Sequence, residues 1–340
     1  MHVGSSTQFR LLTQFLQLFK LASKLRILFR HADACEVRGS RIVMHAPPRV
    51  HHRGPLGHAG DAVMLGVRTL DSIPGVLANY LSLLPSGWVV HFLHGARNAE
   101  AVLSSQTLQH ALAKGSLRLR RLEEVAEQAW IDQACKKHIV TPGKNQLEAR
   151  ILTSPRFWSA FSAPHLMLVH PDSALCPRPT WAIEDFYSYA FVGAPWYACA
   201  MPVSCVGNHG MSMWSRELML WITSKYGRRR PMTGSESNFD IWASKTLQNV
   251  SLSRLPGPTP DSDGGSIGSV LIPTVKVASM FSVESLLTYR GNYTPIGIHR
   301  PWAAPGHNLR EAALLEILRR CPAAEVLNRS RSTDESRLSC

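Results

Sequence analysis

From Ala62 onward, short apolar runs of strand length alternate with segments of helical length, the pattern that builds a mostly parallel sheet with helices on its faces. The residues read as strand 62–67, helix 73–84, strand 88–94, helix 98–113, strand 117–121 and a helix near 146–161. His165–Val169 follows, an apolar run bounded by turn residues, as expected of a strand buried on both faces of a parallel sheet. Pro74 suits the first turn of its helix, where a missing N–H costs nothing, and Asp71 or Ser72 can cap it. The expected fold class is therefore α/β, with a Rossmann-like, mostly parallel sheet flanked by helices and a mixed C-terminal half. No G-x-G-x-x-G follows the first strand, which argues against a dinucleotide cofactor.

Ligands of such sheets collect outside the carboxyl ends of the strands, and Asp172 stands just past the end of 165–169. It reads either as a carboxylate at that address or, with Ser173, as the cap of a turn. A second run, Tyr189–Val192, breaks at Gly193-Ala194-Pro195-Trp196 and places an indole nearby. Farther on, the glycines of Cys205–Gly210 (CVGNHG) permit close approach of a ligand, with Asn208 and His209 as donors between Gly207 and Gly210. The same stretch also reads as a tight turn before a helix from Ser215 to Ile222, with Ser215 as N-cap. Residues 256–269 form a Pro/Gly/Ser-rich loop, Val275–Ser282 reads as another strand, and Asn308 with Glu311 opens a terminal helix.

Composition narrows the partners. A formal net charge of +13 points to anionic ones, but no nucleic-acid recognition motif is present, so a specific nucleic-acid reader is not expected. The clusters Arg118–Arg121 and Arg228–Arg230 read as solvated faces. Seven cysteines without a CxxC pair or zinc-ligand spacing argue against structural zinc. They suggest mostly reduced, packed thiols, with a Cys199–Cys205 loop as the pair an oxidising compartment could close. Residues 1–32 lack acidic side chains and mix arginine and lysine into apolar runs too interrupted to span a membrane. That segment reads as organelle targeting, a membrane-surface helix or a helix packed on the domain. The chain thus divides into a basic amphipathic segment 1–45, a linker 46–61, one domain 62–321 and a polar tail 322–340. Compartment stays open between cytoplasm with peripheral membrane contact and a Golgi lumen or organelle, where the sequons at Asn249, Asn292 and Asn328 would matter.

In order along the chain stand HPDSALC, IEDF, YAFVGAPW, VGNHGMSMWSRELM, FSVES and GIHRPW. They resemble a glycosyltransferase-like family of unknown function whose members read QTDS, DDF, DYVGAPW, GNGGLSLR, FSVE and GVHKPW, and the resemblance covers roughly residues 62–302. It implies a fold like that of the GT-A glycosyltransferases, a nucleotide-sugar donor and a hydroxyl acceptor on a glycan, protein or lipid. It also implies Mn²⁺, or Mg²⁺, held by Asp172 and His299, since hard cations take oxygen ligands and imidazole favours manganese. Asp240, in a segment resembling the family's N-E-D-V-W, is the expected base. Arg68, Asp172, Gly207, Asn208 and Gly210 would meet the donor, and Trp196 and Trp302 would offer faces for sugar stacking. This chain departs from the family at His170-Pro171, at His209 and at Phe239, where the family carries glutamate; Glu236 is the nearby carboxylate that could compensate. Those departures keep open a catalytically silent binding protein of the same fold.

Overall fold

The computed structural model describes residues 59–66, 71–137, 146–196, 206–227, 238–249, 273–284, 289, 292–300 and 311–323. The expected α/β class is the one observed. Four parallel strands form one side of a six-stranded sheet: β1 (Gly60–Gly66), β2 (Trp88–His94), β3 (Leu117–Arg121) and β4 (His165–Val169). The sheet is completed by β6 (Phe191–Pro195) and β7 (Val206–Ser215) in the order β3-β2-β1-β4-β7-β6, with β7 antiparallel to both of its neighbours. β1 and β4 are buried along their whole length, which explains their unbroken apolar runs. β3 lies at the edge, and its arginines keep that edge charged: Arg120 pairs with Glu124 at 2.8 Å and Arg121 with Glu123 at 2.9 Å. At the far end of the sheet from the strand exits, buried His91 and Asp61 meet at 2.8 Å.

Helix α1 (Ile73–Leu83) begins at the expected place with Pro74 in its first turn, but the hydroxyl of its N-cap Ser72 donates instead to the Pro171 carbonyl at 3.2 Å. The single helix expected over 98–113 is two, α2 (Ala96–Leu103) and α3 (Gln106–Ala113). Ser105 is extended between them, and Gln109 Nε2 donates to the Leu103 carbonyl that the break leaves open. After α4 (Gln128–Lys137), the helix expected near 146–161 is also divided, into α5 (Gln146–Leu152) and α6 (Pro155–Ser159). Pro155 cannot donate to the preceding turn and forces Ser154 extended, where its hydroxyl caps α6 by accepting from Arg156 N–H.

Two expectations in the second half are corrected. The stretch 205–210, read as a glycine loop or turn, instead supplies the first half of the interior strand β7 from Val206 on. Backbone bonding to β4 on one side and β6 on the other holds extended a sequence of low strand propensity. Val275–Ser282, read as a strand, is instead helix α9 (Val275–Phe281), capped by Thr274, whose hydroxyl accepts from Val277 N–H. That cap and a buried face of Ala278 and Phe281 at helical spacing outweigh its β-branched residues. Only Ser282–Val283 (β8) is extended, and it joins β5 (Ser173–Leu175) and β9 (Gly297–His299) in a small sheet ordered β5-β9-β8. Helix α7 (Arg216–Tyr226) is capped by the Ser215 hydroxyl, as expected. Helices α8 (Phe239–Asn249) and α10 (Glu311–Arg320) complete the described residues.

The cysteine expectation is also corrected. Cys176, which follows β5, and Cys321, which follows α10, are buried and joined in a disulfide across a sequence separation of 145. Cys199 and Cys205 lie outside the described residues. Among the described residues no helix is long and apolar enough to cross a membrane.

Candidate active site

The carboxyl end of β4 runs directly into a turn. His170 C=O accepts from Ser173 N–H at 3.1 Å and from the Ser173 hydroxyl at 2.7 Å, closing a turn with Pro171 and Asp172 at its corners. Proline at the first corner fixes the φ such a turn needs. His170 N–H donates to Gly210 C=O at 2.8 Å, so the start of β7 is held against the same turn. On the other side Ser173 pairs with His299 across the β5–β9 ladder. Three distant segments, 170–173, 208–210 and 297–300, are thereby brought to one edge of the sheet by backbone pairing alone.

Asp172 and His299, expected to share a cation, face each other with Oδ1 and Nε2 3.2 Å apart. Arg300, whose φ is 46°, approaches Asp172 Oδ2 at 3.3 Å, so consecutive residues meet the two oxygens of one carboxylate. The other ring nitrogen of His299, Nδ1, faces Glu284 at 3.5 Å. Burial alone would raise the Asp172 carboxyl, but His299, His170 and Arg300 outweigh it and hold it well below the usual carboxylate range. Burial pulls His299 down, and Asp172 and Glu284 more than reverse that, lifting it to about 9. Apart from these two ion pairs, Asp172 Oδ1 and both nitrogens of His299 are buried without a hydrogen-bond partner. Buried polar atoms left so are costly, and a cation between Oδ1 and Nε2 would satisfy both. The residues therefore fit a divalent ion, with Glu284 behind the imidazole in the manner that orients metal-bound histidines.

A second cluster adjoins the first. Glu148, in the first turn of α5, accepts from His170 Nε2 at 2.7 Å and lies 3.4 Å from His209 Nε2. His209 Nδ1 in turn faces Asp240 Oδ2, in the first turn of α8, at 3.2 Å. Burial would lower His209, but Asp240 and Glu148 raise it to about 10. Burial would raise Glu148, but His170 and His209 hold it well below its ordinary value. The rings of His170 and His209 meet edge to face at 4.7 Å, and those of His170 and His299 at 5.3 Å.

The remaining expected residues divide by place. Asn208 turns both ends of its amide to the protein, donating to Glu284 at 2.9 Å and accepting from Gly210 N–H at 2.9 Å. It braces the site rather than presenting a free donor. Gly207 has φ 124°, and a Cβ there would stand 3.3 Å from the Trp196 ring, so the half-buried indole lies over the glycine. At Gly210 a Cβ would collide with the His299 imidazole. Asp240 is buried, its other oxygen accepting from Ile241 N–H at 2.8 Å. Arg68, Trp302 and Glu236 lie outside the described residues. Sequence reasoning gave Glu148 and Glu284 no role, treated His170 as a departure, and read His209 as a departure and as a possible ligand donor. The signal for Glu284 was present, since it ends the FSVE motif. Glu148 carried none, because an acidic residue in the first turn of a helix ordinarily faces water.

A family described as "Protein of unknown function (DUF5672)" matches residues 136–299, a shorter stretch than the resemblance spanned and just under half of the chain. No curated protein matches the sequence. Solved structures to which the chain is similar include mouse xyloside xylosyltransferase 1 in its apo form, at 12% identity and TM-score 0.34, covering 55% of this chain and 82% of that one. They also include the glycosyltransferase GlyE of Streptococcus pneumoniae TIGR4, at 11% identity and TM-score 0.35, covering 81% and 66%. A third is glucosyl-3-phosphoglycerate synthase of Mycobacterium tuberculosis in complex with Mn²⁺, UDP and glucosyl-3-phosphoglycerate, at 18% identity and TM-score 0.27, covering 61% and 82%. Likeness at these scores leaves the chemistry to be argued from the site itself.

Proposed function

We propose that the chain is a metal-dependent, GT-A-like glycosyltransferase that moves a sugar from a nucleotide-diphosphate donor to a hydroxyl acceptor. The observation that carries this reading is the buried, otherwise unpartnered pair of Asp172 Oδ1 and His299 Nε2 at 3.2 Å, outside the carboxyl ends of a mostly parallel sheet. The ordered motif set supports it independently. Asp172 and His299 would hold Mn²⁺ or Mg²⁺, and such an ion neutralises the charge of a departing diphosphate. Arg300, half exposed beside Asp172, is placed to meet the same phosphates, a role in which Arg68 is also proposed. Gly207, Asn208 and Gly210 shape the donor wall, with Asn208 acting through Glu284. Trp196, and Trp302 with it, would supply a ring face to a sugar. On the acceptor side, proton removal is assigned to Asp240, whose Oδ2 faces the His209 imidazole. The buried disulfide supports an oxidising compartment over the cytoplasm.

The test is thermal melting of the wild type and Asp172→Ala with UDP, GDP and nucleotide sugars, each with and without Mn²⁺. A ligand at about 100 times its dissociation constant adds roughly 2.7 kcal/mol of stability, which reads as a raised melting temperature. The expected result is a shift that needs nucleotide, Mn²⁺ and Asp172 together. The absence of any nucleotide-dependent shift in a well-folded wild type would overturn the donor site and favour a catalytically silent relative.

A further inference from the structure

We propose that Glu148, His170 and His209 form a second metal site, of Zn²⁺ type, beside the donor site, with Asp240 as the residue that positions His209. One ligand atom from each of the three lies within 4.8 Å of the others. Two ligands bound to zinc at about 2.0–2.1 Å and a tetrahedral angle stand about 3.3 Å apart. The 3.4 Å between His209 Nε2 and Glu148 Oε1 already matches that separation, and the 2.7 Å between His170 Nε2 and Glu148 Oε1 needs only a small opening. Two imidazoles and one carboxylate suit a borderline transition metal better than Mg²⁺ or Ca²⁺, which prefer oxygen.

The orientation of His209 serves a metal ligand as well as it serves an imidazolium between two carboxylates. Its Nε2 points at Glu148 while its Nδ1 points at a different carboxylate, Asp240, at 3.2 Å. This is the carboxylate–histidine arrangement that fixes the tautomer and raises the basicity of a metal ligand. His299 repeats it at the first site, with Asp172 before Nε2 and Glu284 behind Nδ1. The sequence departures converge on the same place. His170 and His209 supply two ligands, and buried Phe239 packs its edge against the His209 ring at 5.6 Å. The carboxylate missing at 239 is replaced from another helix by Glu148, which is itself buried. Three protein donors leave a coordination position for a water or substrate oxygen. With zinc bound, Asp240 would act as a positioning residue for His209 in place of the base role given it above, and the ion would acidify an acceptor hydroxyl.

The experiment uses the full chain after removal of any affinity tag. It is stripped with chelator, reloaded with Zn²⁺ and desalted, and zinc per chain is read by elemental analysis. Wild type is expected to retain one equivalent. His209→Gln and Glu148→Gln should lose it, and Asp172→Asn should keep it. Asp240→Asn should retain the stoichiometry with affinity lowered about 10–100-fold in chelator competition. Circular dichroism melts verify folding, and His170→Gln replaces Glu148→Gln should that variant not fold. Wild type that is folded and zinc-free overturns the proposal. So does zinc that survives His209→Gln and is lost in Asp172→Asn; that result would place the ion at the donor site and leave the glycosyltransferase reading standing.

Discussion

At Gly210 the site depends on an absent side chain. A Cβ there would fall on the His299 ring, so Gly210→Ala should push the imidazole from Asp172 and cost about 1–3 kcal/mol in overpacking. Urea unfolding should show the loss of stability, and the Mn²⁺-dependent nucleotide shift should vanish with it. Glu284→Gln tests the support behind His299: metal affinity should fall about 10–100-fold with little change in melting temperature. The metal-free protein should also carry a pH signature at His209. Its folded value of about 10 lies above the ordinary 6.5, so its stabilising contribution is complete below 6.5 and is lost as pH rises through 10. Glu148 is depressed, so its contribution is present above the ordinary 4.5 and is lost as pH falls below that. Urea midpoints taken in chelator should therefore decline from pH 6.5 toward 10, and His209→Gln should lessen that limb, leaving the part that His299 carries through about 9.

Among the elements, strands were more legible than the limits of helices. The parallel strands β1 and β4 showed as apolar runs because burial on both faces leaves little choice of residue. Ser105 and Pro155 divided two helices whose periodicity runs on across the break. β7 was hidden because Gly207, Asn208 and Gly210 carry loop propensities, while what draws this stretch into the sheet is pairing with β6 at 206 and 208 and the bond from His170 N–H to Gly210 C=O. The meeting of Asp172 with His299 could be read from motifs, whereas the arrival of Glu148 required knowing where α5 lies. Phe239, at the start of α8, packs against Trp214 and Trp158 as well as His209. Phe239→Ala should cost about 3–5 kcal/mol and loosen His209 along with the core, measurable as a lowered urea midpoint.

For the molecule as a whole, the disulfide fastens the end of α10 to the small sheet that carries His299. Cys176→Ala with Cys321→Ala should lower stability by about 2–5 kcal/mol relative to the oxidised wild type, and reductant should lower only the wild type. The same bond sets what a protease can do. Asp172 precedes Cys176, and His299 lies between the two cysteines. A cut at any peptide bond from 177 to 298 therefore separates the two candidate ligands along the chain while leaving their fragments covalently joined. Such a nicked molecule would migrate as one species on a non-reducing gel and as two on a reducing one. Both halves of the donor site would remain tethered at the base of the sheet on which they meet.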